Sequence, residues 1–240
     1  MTDEKKPDST SAGGVPDEKS PKESKVAKIC KNKRTPITIG VVVVVILLAC
    51  IGGFVWHEQP SFCNAICHTP MDGYLQTYEA KSGSQATDKW GNTVSGANGM
   101  MAAVHRDKAK TNCLGCHQPV LDEQVSEGVN WITGNYYAPL SEKKLTELTK
   151  ARKINSQQFC MNQNCHNLSY DVLAKKTSNM TYNPHETHYD GLECGDCHKA
   201  HRASVYYCTK CHDAATADMP EGWITYAESQ QLEKQHATQE

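Results

Sequence analysis

What most constrains this 240-residue chain is where its cysteines stand. Ten of the twelve follow residue 57, and they form five pairs, each with a histidine directly after its second cysteine. Cys113, Cys116 and His117, then Cys194, Cys197 and His198, then Cys208, Cys211 and His212 have the spacing C-x-x-C-H. Cys63, Cys67 and His68 enclose three residues between the thiols, and Cys160, Cys165 and His166 enclose four. A zinc site combines two cysteine pairs to reach four ligands and has no use for a histidine after every pair. A disulfide framework explains the cysteines but not the histidines. The pattern is that of covalent haem attachment: two thiols bind one edge of a porphyrin, and the adjacent imidazole reaches the iron. Extra residues between the thiols can bulge outward, so five haem c groups are expected, with His68, His117, His166, His198 and His212 as proximal ligands.

A low-spin iron takes a second axial ligand. His105, His185, His188, His201 and Met71 are the candidates for that role, with Met100 and Met101 as alternatives to Met71. His57 stands beside an apolar run and suits an interfacial position. His236 lies in a polar, Gln-rich tail and is expected to be solvated.

The fold class that follows is a multihaem cytochrome c: mostly irregular, with short α-helices packed around haems and one N-terminal transmembrane helix. Three Phe and four Trp are little material for a core, so the porphyrins are expected to fill it. Residues 1–36 have the polar, charged composition of a disordered cytoplasmic tail. Residues 37–56 carry no charge and are long enough for a transmembrane helix. Lys25, Lys28, Lys31, Lys33 and Arg34 precede that run, and no Lys or Arg follows it until Lys81. The bias predicts a single pass through the cell membrane, with the N-terminus cytoplasmic and residues 57–240 forming an extracytoplasmic pentahaem domain. A cleaved signal would need a shorter polar leader. Leu47 to Cys50 loosely resemble a lipidation box, but the chain stays apolar to Trp56, and either outcome leaves it attached to the membrane. The outer part carries 16 Lys+Arg against 21 Asp+Glu, which excludes the basic stripe of a nucleic-acid binder.

Within the outer part, 81–99 reads as a loop or hairpin around Trp90-Gly91-Asn92. Leu145, Leu148 and Ala151 predict a helix within 141–157, with Ser141 as its cap. Ser169 predicts the cap of a helix through Lys176. Met219-Pro220-Glu221 predicts the start of a polar helix running toward Glu233. Regular structure elsewhere is expected to be sparse.

The front half resembles the NapC/NirT/NrfH group of membrane-anchored quinol-oxidising cytochromes. The resemblance rests on the anchor, the nearby first motif with Met71, and His105 ahead of Cys113-Leu-Gly-Cys116-His117. That group has four haems, a C-x-x-C-H first motif and Met two residues after its His rather than three. Residues 185–212 are similar to the tetrahaem domain of flavocytochrome c fumarate reductases, through His185, His188, the two C-x-x-C-H motifs and His201. In that group the histidine three positions after a motif ligates a neighbouring haem, which implies this role for His201. Together the resemblances imply electron transfer in anaerobic respiration, from menaquinol to an extracytoplasmic, flavin-containing reductase. No dinucleotide-binding glycine pattern occurs in this chain, so the flavin would belong to the partner. Two other readings are a haem-based reductase of a small molecule such as nitrite, and an electron store without quinol oxidation. Asp107, Lys108, Lys81 and Asp88 are the candidates for taking quinol protons.

Overall fold

The computed structural model describes residues 34–66, 68–118 and 120–237. The tail over 1–33, Cys67, Pro119 and the last three residues lie outside the described residues, as does the side chain of His68. The chain divides into two units, residues 1–52 and 53–240.

Helix α1 runs Arg34–His57. Its stretch Pro36–His57, 22 residues with mean hydropathy 2.9, is long and apolar enough to cross a bilayer. Cys50 is exposed on it as a free thiol.

In the second unit, α2 (Pro60–Ile66) leads into α3 (His68–Glu79). Phe62 packs edge-on against Trp56 and His57, at 5.0 and 4.9 Å between ring centres. Strands β1 (Ala86–Thr87) and β2 (Thr93–Val94) form the expected hairpin, antiparallel with Ala86 opposite Val94. Asp88 closes it: its Oδ1 accepts from the backbone N–H of Trp90 and of Asn92, both at 2.8 Å. Asp88 is 2% exposed and committed to this turn.

Next come α4 (Met101–Ala109), α5 (Cys113–Cys116), α6 (Leu121–Thr133), α7 (Leu145–Leu148), α8 (Ser156–Cys160), α9 (Tyr170–Lys176) and α10 (Cys194–Cys197). Strand β3 (Val205–Tyr206) pairs in parallel with β4 (Ile224–Thr225), and α11 (Tyr226–His236) follows. This is a helical architecture with little sheet.

Several expectations change. The helix expected within 141–157 is two short ones, α7 and α8. Thr149 Oγ1 bonds back to Leu145 O and Ile154 O, and Lys153 takes a left-handed φ of 57°, so the chain turns between them. Ser141 is not the cap; Lys144 holds that position. The C-terminal helix starts at Tyr226 rather than near Pro220, because Thr225 and Glu228 form a reciprocal capping box there. The cap at Ser169 is as expected. Helices α3, α4 and α6 occupy stretches expected to be irregular. In α6 the signal was present: Leu121, Val125, Val129 and Ile132 recur at helical spacing, and all four are exposed. His236 is not simply solvated; its ring stacks on Trp90 at 4.6 Å and 7°.

The buried apolar cluster joins Val94, Ala97, Met100, Ala103 and Ala203, with Ala80, Ala86 and Ile224 against it. Met100 is fully buried in that core. A Cβ on Gly99 would collide with the backbone of Gly222, and one on Gly222 with the backbone of Gly96. Residues 199–204 lace these parts together. Helix α4 has no side-chain cap; instead Lys199 O and Ala200 O accept its first N–H groups, from Met101 and Ala102, at 2.9 and 3.0 Å. His201 O accepts from Lys89 N at 2.8 Å, fixing the hairpin to the same strap. The strap thereby registers His201 against both α4, which bears His105, and the hairpin.

Candidate haem sites

Each described attachment motif closes on itself in the same way. The backbone N–H of the histidine donates to the carbonyl of the first cysteine: His117 to Cys113 at 2.8 Å, His198 to Cys194 at 2.9 Å and His212 to Cys208 at 3.0 Å. The expanded motif does so too, His166 to Cys160 at 3.1 Å. Asn162 absorbs its extra residues, since its carbonyl accepts from Cys165 N and its Oδ1 from Asn164 N. Four intervening residues therefore bulge while the ends keep the local geometry of the tight motifs. Asn112 caps α5, Asn155 with Gln158 caps α8, and Glu193 with Asp196 caps α10, so each turn starts at a defined residue. Cys63 is half-buried in α2; its motif partners Cys67 and the His68 side chain lie outside the described residues.

The histidines meet in pairs, each made of one motif histidine and one from elsewhere. His117 and His201 have ring centres 6.2 Å apart, and His198 and His185 6.3 Å. His166 and His105, and His212 and His188, are each 5.9 Å apart. A metal–nitrogen bond of about 2 Å on each side, plus about 1 Å from nitrogen to ring centre, spans roughly 6 Å. The four pairs therefore fit two imidazoles holding one iron between them. These are the four histidines singled out as distal candidates, and each faces a different motif histidine.

The tautomers fit as well. Thr77 Oγ1 donates to Tyr74 O at 2.7 Å, so its oxygen receives the Nδ1 proton of His201 at 2.6 Å. His105 Nδ1 donates to Met101 O at 2.7 Å, and His185 Nδ1 donates to Thr177 Oγ1 at 3.1 Å. In all three the far nitrogen, Nε2, is left with its lone pair for a metal. Burial also holds the imidazoles neutral. It pushes His201 down to about 3, assisted by His117 and Lys89, and His198 down to about 4, assisted by His185, His166 and His105. Burial lowers His117 and His185 too. The threonines were missed in the sequence because nothing local distinguishes them; each lies on a helix or at its end and becomes meaningful through a fold contact.

The motifs also adjoin one another. Cys63 lies within electrostatic reach of Cys113, Cys116 of Cys165, and Cys197 of Cys208, while the sulfurs of Cys160 and Cys194 are in hydrogen-bond contact. Beside His201, Glu142 sits among Lys89 at 2.9 Å, Lys199 at 3.4 Å and Arg202 at 3.4 Å. Burial alone would raise its carboxyl, but the three cations outweigh it and bring it down to about 2. Among the proton-accepting candidates, Asp107 accepts from Ser82 N and from Arg106, contacts that hold its carboxyl below the usual range.

Residues 142–213 match the cytochrome c3 family. The cytochrome c-type protein Cgr1 of Eggerthella lenta is 54% identical over 202 residues, which cover 84% of this chain and 92% of that protein. The probable fumarate reductase Ifc3 of Shewanella frigidimarina is 25% identical over 71 residues, 30% of this chain and 12% of that protein. No solved structure matches the chain. Attachment motifs that close alike, histidines paired at the span of an iron, and identity over most of both chains lead to one conclusion: the chain belongs to the family of the cytochrome c-type protein Cgr1 and is a multihaem c-type cytochrome with covalently bound haem.

Proposed function

We propose that this cytochrome is a membrane-anchored conduit with five haem c groups, taking electrons from menaquinol and passing them to a separate extracytoplasmic reductase that contains flavin. The observation that supports it is that each described motif histidine meets a second histidine, with ring centres 5.9 to 6.3 Å apart. Haem supplies one-electron redox chemistry. His117 with His201, His166 with His105, His198 with His185, and His212 with His188 would each hold one haem iron. A metal held by two imidazoles has no position for a substrate, which favours carriage of electrons over reduction of a small molecule such as nitrite. The apolar helix α1 supports the anchor, and the basic residues before it support a cytoplasmic N-terminus. The intact mass of the mature protein should exceed the polypeptide by five haems. A gain of three would show that the motifs at Cys63 and Cys160 are unused. Menaquinol added to membranes should reduce the cytochrome; an unchanged spectrum would leave an electron store without quinol oxidation.

Met71 is the remaining axial ligand in this reading, at the first motif. It follows position 68 by one helical turn in α3, so the two stand on the same side of that helix. Opposing one another across a single porphyrin would require that turn to open. A thioether ligand raises the potential relative to imidazole. Met71→His is therefore expected to lower one haem potential by on the order of 100 mV, within the roughly 0.8 V that axial ligands command. Reduction by menaquinol should slow while dithionite still reduces every haem. Unchanged potentials in a redox titration would make Met71 a packing residue.

A further inference from the structure

The four histidine pairs fall into two classes by ring angle. His117 and His201 are inclined by 24°, and His198 and His185 by 11°. His166 and His105 are inclined by 82°, and His212 and His188 by 81°. Both near-parallel pairs contain a distal ring that donates to a threonine hydroxyl, Thr77 for His201 and Thr177 for His185. The crossed ring of His105 donates instead to Met101 O, a carbonyl of its own helix one turn back, so α4 itself dictates its plane.

The threonines are themselves held. Thr77 is fully buried, and its hydroxyl proton goes to Tyr74 O within α3. The edge of Tyr74 also meets the His201 ring, at 5.1 Å and 88°. Thr177 caps the end of α9, with its hydroxyl within bonding distance of Leu173 O and Asn183 Oδ1. A hydroxyl whose own proton is committed to a helix is an acceptor in a fixed direction. Rotation of the imidazole about its Cβ–Cγ bond would break the Nδ1–H bond and leave that donor unpaired. The acceptor thus selects the ring plane, not merely the tautomer.

We propose that Thr77 and Thr177 are positioning residues that hold His201 and His185 parallel to His117 and His198, giving the protein two electronic classes of bis-histidine haem. The inference rests on the ligand pairing above. Its physical basis is orbital. Parallel imidazoles donate into the same iron d orbital and split the dπ pair, which gives a rhombic low-spin ferric signal. Crossed imidazoles act on both orbitals equally and leave them nearly degenerate, which gives a broad, strongly anisotropic one.

Electron paramagnetic resonance of the fully oxidised holoprotein tests this. The wild type should show both kinds of low-spin signal. Thr77→Val keeps the shape and removes the acceptor, and it should remove one of the two rhombic bis-histidine components or shift it to a new position. The anisotropic signals should not change, and the bound haem mass should stay the same. Thr77→Ser restores a hydroxyl and should restore the wild-type spectrum, which a purely structural role for the side chain would not do. Thr177→Val should act on the other rhombic component, and it carries the same test if Thr77→Val does not mature. Rhombic signals unchanged in these valine variants would overturn the positioning role while leaving the ligand pairs intact. High-spin signals dominating the wild type would overturn the pairing itself, and the inference with it.

Discussion

Cys160→Ser combined with Cys165→Ser is expected to yield a protein one haem lighter, with the region around α8 loosened. Four residues separate these thiols, yet His166 N–H still reaches Cys160 O as in the tight motifs, so the loop is shaped for the same attachment. The consequences extend past the motif. His166 faces His105 of α4 at 5.9 Å, and Cys160 contacts Cys194 of the next motif. Losing the group these side chains surround removes much of the local interior, because the buried apolar cluster lies elsewhere, around Met100 and Ala103. Large core truncations cost about 3–5 kcal/mol, and a porphyrin exceeds any side chain, so the loss should be at least of that order. Intact mass reads the haem count, and denaturant titration followed by far-ultraviolet circular dichroism reads the stability. Full mass retained in the double variant would show that this motif never held haem. Full stability with one haem missing would show that the porphyrin is not the local core.

The second large effect concerns Glu142. It faces three cations, two of them on the strap that carries His201, and Arg202 is 1% exposed with a further bond to Glu233 at 2.6 Å. Glu142→Gln leaves buried positive charge without its main counter-charge, a loss of about 3–5 kcal/mol for a broken buried pair. The pH dependence gives an independent measure. The carboxyl falls from an ordinary 4.5 to about 2 in the folded chain, which corresponds to roughly 3 kcal/mol. Because the folded value is the lower one, this stability is present above about pH 4.5 and is lost as pH falls toward 2. Denaturant midpoints measured from pH 7 to pH 2 should therefore drop more steeply in the wild type than in Glu142→Gln, and the two should converge at the acid end. Parallel curves would mean that the cations are held without Glu142.

How much of this was legible in the residue order varies with the range of the interaction. The class of cofactor was legible, because two thiols and an imidazole act within a short stretch and their spacing carries the signal. The apolar run of α1, the hairpin at Trp90-Gly91-Asn92 and the cap at Ser169 were legible for the same reason: each needs only its immediate neighbours. The break between α7 and α8 was not, since apolar spacing over 145–151 is compatible with a longer helix. Thr149 must bond across to Ile154 to end it. His236 read as a solvated tail residue because its partner, Trp90, lies in a hairpin far earlier in the chain.

By itself the sequence determined the kind of cofactor, the candidate attachment points and ligands, and an apolar segment fit to cross a bilayer. Only the tertiary structure decided which histidine faces which; His201 and His105, for instance, are registered by a strap, residues 199–204, whose carbonyls satisfy the start of α4 and the hairpin. It alone also decided the ring planes, since a hydroxyl on α3 meets His201 and one at the end of α9 meets His185. The physical reason is that covalent attachment is a local event on the chain. Coordination from the opposite side of a porphyrin, by contrast, needs a residue that some distant backbone contact has carried there.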